Sequence, residues 1–576
     1  MRLRISESKN SKSFYVLKST YVNGKRSTKI VEKLGTYDEL KLKLKGEDPI
    51  VWAKKYISEL NKTQTKKDPD IIIKYSQSKQ LTKNNDRLFN AGYLFLQQIY
   101  YDLGIHSVCE TITDKHQFKF DLNSILSNLI YSRIIFPSSK LKTLELSKSF
   151  IETPTLDYNH TLRSLEVIAH ESKFIQAELY KNSCEYSPRN NKILYYDCTN
   201  YYFEIDDEDN FKKYGKSKEN RPNPIVQMGL FMDGDGIPLT FSITPGNTNE
   251  QTTLKPLEEK IIKDFNTSQF VVVTDAGLAS TANRKFNNIQ GRKFITTQSI
   301  KKLKSFLKEY AIDLTSGWKL PGSEKTYDIS KLRDDEDLIE RFKDKTFYKE
   351  RWIKEDGLEQ RLIITYCAKY QEYQKNIREK QIGRAIKLVE QSPRKLGKVN
   401  ANDPKRFIKV VQSTEYGEVA EVSEYSINQD VISEEAKFDG LYAVCTNLED
   451  DVEEIIKINK RRWEIEESFR IMKSEFKARP VYLHREDRIK AHFTTCFLAL
   501  VIYRYLEKKL DYKYTVSAII DTLKAYNFLN SVGDGYIPAY TRNDITDLLH
   551  QKFEFRTDFE IVSIKKMKNI CKGTKS

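Results

Sequence analysis

Residues 192–203 read KILYYDCTNYYF and residues 270–277 read FVVVTDAG. Both runs are rich in Ile, Leu, Val, Tyr and Phe, the side chains that suit a pleated, buried surface, so both are expected as strands. Each carries one aspartate, Asp197 in the middle of the first and Asp275 at the end of the second. A carboxylate in such a place is expensive unless it is paired or holds a cation. Between them, residues 225–232 and 237–243 flank the turn DGDG at 233–236 and predict two more strands. After Pro245-Gly246-Asn247, the residues Leu254, Leu257, Ile261 and Ile262 recur at helical spacing.

Three antiparallel strands, a helix and a buried strand ending in an acid are the opening of a ribonuclease-H-like α/β core. In such a core the first strand is central and the strand after the first helix lies beside it. The two aspartates should therefore converge although they are 275 − 197 = 78 residues apart. A third acid is expected after the strand FDGLYAVCT (438–446), on a long helix predicted over 452–476 that contains KINKRRWEIEESFRIMKSEF (457–476). At about 100° per residue from Arg462, Glu466, Phe469 and Lys473 lie within about 40° of it, whereas Glu464 and Glu467 point away at roughly 200° and 140°. Glu466 is thus expected at the edge of the apolar face, between Arg462 and Lys473; the alternative is a solvated row of i, i+4 ion pairs.

Carboxylates from two strands and a helix, with no histidine among them, suit hard divalent cations, which prefer oxygen ligands and keep waters for a phosphate substrate. Two such ions, Mg²⁺ or alternatively Mn²⁺, can activate a water or a 3′-hydroxyl on one side of a phosphodiester and stabilise the leaving oxygen on the other. Arg462, by its planar fork, and Lys473, as a point charge, would bind neighbouring DNA phosphates. The seven cysteines and seven histidines are scattered, with no CxxC pair and no His-based relay, so the chemistry must come from carboxylates.

The remainder of the 576-residue chain is consistent with a large globular protein of several segments. Lys and Arg total 96 against 81 Asp and Glu, a net charge of +15 with 39% hydrophobic residues, which favours a polyanionic partner in a chain that can bury a core. The longest apolar runs, such as CFLALVIY at 496–503, fall far short of the ~18 residues that span a bilayer, and MRLRISESKNSK at the start has no apolar segment after its charges. Residues 13–34 alternate on both sides of Asn23-Gly24, a hairpin signal. Helical spacing over 122–130, the stop at Pro137 and a cap at Ser138 or Ser139 predict two helices joined by a short turn. With Arg133, Lys140, Lys142 and Lys148 they could read DNA as a helix-turn-helix, in which case charge reversal at Lys140 and Lys142 should weaken DNA binding. The expected segments are an N-terminal β-hairpin unit with linker helix (1–75), a helical, DNA-binding region (76–190), the first part of the catalytic core (191–300), an insertion domain (301–436), the second part of the core (437–515) and a C-terminal helical region with a basic tail (516–576).

Arg462-x3-Glu466-x6-Lys473, with Trp463 beside the arginine, resembles the Tyr-x2-Arg-x3-Glu-x6-Lys signature of the DDE transposases of bacterial insertion sequences, in the superfamily named after insertion sequence four. The blocks YYDCTNYYFE, GLFMDGDGIPLTFSITPGNTNEQTT, VVVTDAGLAS, FDGLYAVCTN and RPVYLHREDRIKAHFTTCFLALVIYR are similar to that superfamily's blocks in the same order. The resemblance implies Asp197, Asp275 and Glu466 as the metal-binding catalytic triad and an insertion domain in the 466 − 275 = 191 residue gap before the third acid. It implies DNA contacts from Arg462, Lys473, Asn459 and Trp463; Asn459 stands where the signature has tyrosine, and Trp463 is expected to be packed rather than stacked on a base. The implied activity is metal-dependent cleavage of double-stranded DNA at the element's terminal repeats and transfer of the 3′-hydroxyl ends to target DNA, by a homodimer in a synaptic complex in the bacterial cytoplasm, without a membrane. The alternatives are a nuclease of the same core without strand transfer, and a catalytically inactive DNA-binding derivative.

Overall fold

A computed structural model describes residues 1–8, 11–22, 25–44, 47–63, 71–73, 76–333, 335–391, 403–413, 422–531 and 534–576. The chain divides into two compact units, one of residues 1–175, 471–477 and 483–576, the other of residues 176–470 and 478–482.

The second unit is a mixed α/β structure around one large sheet. Its strands are β1 (Ile193–Tyr202), β2 (Ile225–Asp233), β3 (Pro238–Pro245), β4 (Val271–Thr274), β5 (Lys293–Thr297), β6 (Trp318–Lys319), β7 (Thr326–Tyr327), β8 (Phe347–Glu355), β9 (Leu358–Tyr366) and β10 (Leu441–Thr446). They lie in the order β7-β6-β8-β9-β10-β5-β4-β1-β2-β3. The meander β1-β2-β3 is antiparallel, while β4 is parallel to β1 and β5 is parallel to β4. The helix α1 (Leu254–Asp264) covers one face through Leu254, Leu257 and Ile261, which pack on Leu194, Tyr196 and Cys198 of β1. Residues 301–436, expected as an insertion, supply β6 to β9 to this same sheet, and Trp318, Leu362 and Tyr366 join its buried cluster with Phe294.

The helix expected over 452–476 is interrupted. It forms α2 (Val452–Lys460) and α3 (Trp463–Arg470), followed by a π-helical turn at Ile471–Glu475. Arg461 N–H donates to Ile458, Arg462 to Asn459 and Ile465 to Arg462, so the chain tightens into three-residue steps at the junction.

In the first unit, strands Ser11–Val22 and Lys25–Thr36 pair as expected, and Arg2–Ser8, absent from the sequence reading, adds a third. Their turn residues Asn23 and Gly24 lie outside the described residues, as does the basic stretch 392–402 in the second unit. The two helices at 121–150 are Leu122–Ile135, capped by Asp121 on the Ser124 N–H, and Lys140–Leu146, capped by Ser139. The first is not exposed as a DNA reader requires, whereas the second turns Leu141, Lys142 and Glu145 to the surface. Leu122–Ile135 is buried on nearly every side and packs against Glu486–Lys509, while Arg133 is fixed to the carbonyls of Phe476 (3.1 Å) and Ser138 (3.2 Å). Lys140 is buried too; Lys142 is exposed and paired to Glu145 at 2.9 Å. The basic C-terminal residues form a helix, Ile564–Gly573, anchored by Met567 and Cys571. Among the described residues no helix is long and apolar enough to cross a membrane.

Candidate active site

Strand register decides the site. The pairs Ile193↔Val271, Leu194↔Val272 and Tyr195↔Val273 join β1 to β4 at an offset of 271 − 193 = 78 residues. Asp197 and Asp275 differ by the same 78, so one step past Thr274 the two carboxylates stand abreast on adjacent parallel strands, whose spacing is about 4.8 Å. Side chains alternate along β1: Leu194, Tyr196 and Cys198 enter the cluster under α1, and Tyr195, Asp197 and Thr199 share the opposite face. On that face the Tyr195 hydroxyl donates to the Ile458 carbonyl of α2 at 2.9 Å, which places the α2–α3 junction over the aspartates.

Each aspartate is held by backbone. The Cys198 N–H donates to Asp197 Oδ1 at 2.7 Å and the Leu278 N–H to Asp275 Oδ1 at 3.0 Å. Burial pushes the Asp197 carboxyl up to about 6; the Asp275 charge adds to this, while Lys218 and Arg462 pull the other way. Two converging carboxylates with oxygen donors only, one of them reluctant to ionise unaided, match the donor set of a hard divalent cation. Asp197 and Asp275 therefore fit a metal on chemistry as well as placement.

As their side chains stand, Asp197, Asp275 and Glu466 are not grouped closely enough to chelate one ion, and Glu466 is tied to Arg462 instead. Its carboxylate pairs with the Arg462 guanidinium at 3.1 Å, and the same guanidinium acts on Asp197, so Arg462 stands electrostatically between the second-unit acids. The expectation that Glu466 alone borders the buried face is not what the structure has. Its side chain is 54% exposed, against 16% for Glu464 and 19% for Glu467. Glu464 turns inward because Arg461 pairs with it at 2.8 Å and Gly236, with no side chain, leaves room for its carboxylate. The face of α3 that is buried consists of Ile465, Ser468 and Phe469.

Trp463, expected to be packed, is 57% exposed. Two residues before Ile465 on the helix, it points away from the apolar face and borders a surface cavity of about 600 Å³ with Leu320, Pro321, Lys345, Lys457 and Lys460. Asn459 donates to the Tyr442 hydroxyl at 3.2 Å, which also bonds Thr297 at 2.6 Å. Lys473 lies on the π-helical turn, in the first unit.

Two charged residues at this site were not singled out from the sequence. Lys218, in the loop between β1 and β2, donates to the Cys198 carbonyl and lies 3.5 Å from Glu250. Burial works against its charge, but Asp197, Glu250 and Asp275 outweigh that and raise its pKa. The only sequence signal was the lysine-rich stretch KKYGKSKEN (212–220), following directly on the strand with Asp197.

Among the described residues, the two groups of three side chains close enough to chelate one ion lie in the first unit: His116, His170 and Glu171, and Asp547, His550 and Asp558. Both are already neutralised. Glu171 takes Lys115 at 2.7 Å beside the two histidines, and Asp547 and Asp558 take Arg542 and Arg556 at 2.6 Å each.

Two acids thus stand in register on one face of a mixed sheet, and sequence comparison supplies the family. The chain belongs to the transposase DDE domain family, whose pattern it matches over residues 163–502, more than half its length; the family uses divalent metal ions. Solved structures that align with it include the piggyBac transposase synaptic complex with hairpin DNA (10% identity, 87% of this chain and 79% of that one, TM-score 0.32). Others are the Mos1 transposase paired-end complex with left transposon end (10% identity, 42% and 66%, TM-score 0.13) and the Mos1 mariner paired-end complex with Mn (10% identity, 45% and 70%, TM-score 0.13). No curated protein matches the sequence.

Proposed function

We propose that the protein is a transposase that cuts double-stranded DNA at the ends of its own insertion sequence and joins the freed 3′-hydroxyl ends to target DNA. The observation that carries this reading is the register that sets Asp197 beside Asp275, with Arg462 at the α2–α3 junction paired to Glu466 of α3. The order β3-β2-β1-β4-β5, antiparallel through the first three and parallel through the last two joins, supports a ribonuclease-H-like core. The Arg-x3-Glu-x6-Lys spacing supports membership of the insertion-sequence-four-like superfamily, of bacterial origin.

Asp197, Asp275 and Glu466 would hold two Mg²⁺ ions, or Mn²⁺ in their place. Bound there, such ions supply an activated water or 3′-hydroxyl and charge for the leaving oxygen. Arg462, freed from Glu466, would offer its fork to the phosphate beside the scissile one, and Lys473 would take a second phosphate. Trp463 and Asn459 contact the DNA from the α2–α3 junction. The net charge of +15 supports binding both terminal repeat and target, with two protomers meeting in a synaptic complex.

The test is cleavage of a duplex carrying the element's end, in Mg²⁺ or Mn²⁺ against EDTA. The expected result is metal-dependent nicking that falls at least about a hundredfold in Glu466→Gln and Asp197→Asn, with end binding retained, and persists in Glu464→Gln. Cleavage that survives in Glu466→Gln and is lost in Glu464→Gln would move the third acid inward. Binding without cleavage in the unmodified protein would favour an inactive DNA-binding derivative, and nicking without joining of a precut 3′-hydroxyl end a simple nuclease.

A further inference from the structure

Lys218, with its partner Glu250, is left idle by the chemistry above. It comes from the β1–β2 loop, on a segment held at both sides: the Asn200 amide donates to the Lys216 carbonyl at 3.1 Å, and the Lys218 N–H donates back to the Asn200 side chain at 3.3 Å. This fixes the Lys218 backbone beside β1 while its ammonium reaches the Cys198 carbonyl and, at 3.5 Å, the Glu250 carboxylate. Its charge bears on Asp197 and Asp275 together. The side chain is nevertheless 40% exposed, so its head group has a route to solvent along the same face. An ammonium on a four-carbon stem is a mobile point charge, unlike a guanidinium locked in a fork.

We propose that Lys218 is a tethered cation of this site: it neutralises the Asp197–Asp275–Glu250 cluster while no metal is bound, and is displaced by divalent metal to a phosphate of the DNA. The inference rests on the metal-binding reading of Asp197 and Asp275. It makes two demands. Lys218 must compete with metal, and it must gain a phosphate contact only when metal has taken its place.

Both are measured on the full-length protein without reference to turnover. Calorimetric titration with Mn²⁺, in the absence of DNA, should give a site that Asp197→Asn abolishes, that binds roughly three- to tenfold tighter in Lys218→Met, and that is little changed in Lys218→Arg, which keeps the charge. The salt dependence of binding to an end duplex should be the same for Lys218→Met and the unmodified protein in EDTA. In Ca²⁺ the logarithmic slope of the unmodified protein should be steeper by about 0.9, the release expected for one phosphate contact. A lysine that merely props the loop would change neither the Mn²⁺ affinity nor the Ca²⁺-specific slope. An Asp197-dependent Mn²⁺ site with unaltered affinity in Lys218→Met, or equal slopes in Ca²⁺, overturns this inference and leaves the metal site standing. A protein with no Asp197-dependent Mn²⁺ site overturns both.

Discussion

Asp197 titrates where a metal bound as proposed would compete with a proton. Its carboxyl is raised from the ordinary 3.8 to about 6, chiefly by burial and then by Asp275. An acid whose folded pKa exceeds its unfolded value favours folding below the unfolded value, and loses that contribution as pH rises through the folded one. The metal-free protein should therefore lose stability between about pH 4 and pH 6, and a divalent cation should restore it above that range. Mn²⁺ affinity measured against pH should fall as pH drops below about 6, and an Asp197→Asn protein should show no such fall. Lys140 is the reverse case, its pKa lowered to about 7 by burial and by Arg133. The unfolded chain keeps that proton to higher pH, so the site costs stability increasingly as pH falls from about 10.5 through 7. Lys140→Met should stabilise the protein at pH 7 by on the order of 1 kcal/mol, read as a higher thermal midpoint, and leave DNA binding unchanged; weaker DNA binding would return Lys140 to the role its sequence position suggests.

At the scale of elements, the turn between β2 and β3 and the helix α3 constrain one another. Gly236 has φ of +81°, and a Cβ there would lie 2.4 Å from the Glu464 carboxylate. Gly357, between β8 and β9, has φ of +75° with nothing near its missing Cβ. Gly357→Ala should therefore cost only backbone strain, about 1 kcal/mol, and Gly236→Ala should cost more, about 2–3 kcal/mol, since Glu464 must leave its place against the turn. Thermal unfolding of the two variants measures the difference; equal losses would show that Glu464 yields freely. The cap at Ser139, one of the two serines expected there, and the strands around Asp197 and Asp275 were legible, because capping and alternation are local rules. The break at Arg461 was not. Every residue from 452 to 476 is compatible with helix, and the three-residue steps there arise where the chain must pass over β1.

Over the whole molecule, contacts far apart in sequence decide what the segments become. Asn90 is buried, and its side chain donates to the carbonyls of Leu523 (2.9 Å) and Lys524 (3.1 Å) while accepting from Gly92 N–H (3.0 Å). Asn90→Ala leaves those carbonyls and that N–H without their partner and should cost about 2–3 kcal/mol in the thermal unfolding of the protein; a loss below about 0.5 kcal/mol would mean that the 527–531 strand holds without it. The same long-range packing buries the first helix of the pair at 121–150 under Glu486–Lys509 and leaves only one side of the second, with Leu141, Lys142 and Glu145, at the surface. Nothing in that pair's own spacing distinguishes a buried hairpin from an exposed one.

The sequence by itself determined the strands, their acids and the 78-residue separation, because residue type and alternation specify a strand wherever it ends up. Tertiary structure alone decided that this separation is also the pairing offset, that residues 318–366 extend the same sheet, that Trp463 faces solvent, and that Lys218 reaches the Cys198 carbonyl and Glu250. Those are outcomes of register and burial, which depend on what the rest of the chain brings alongside and not on any local pattern of side chains.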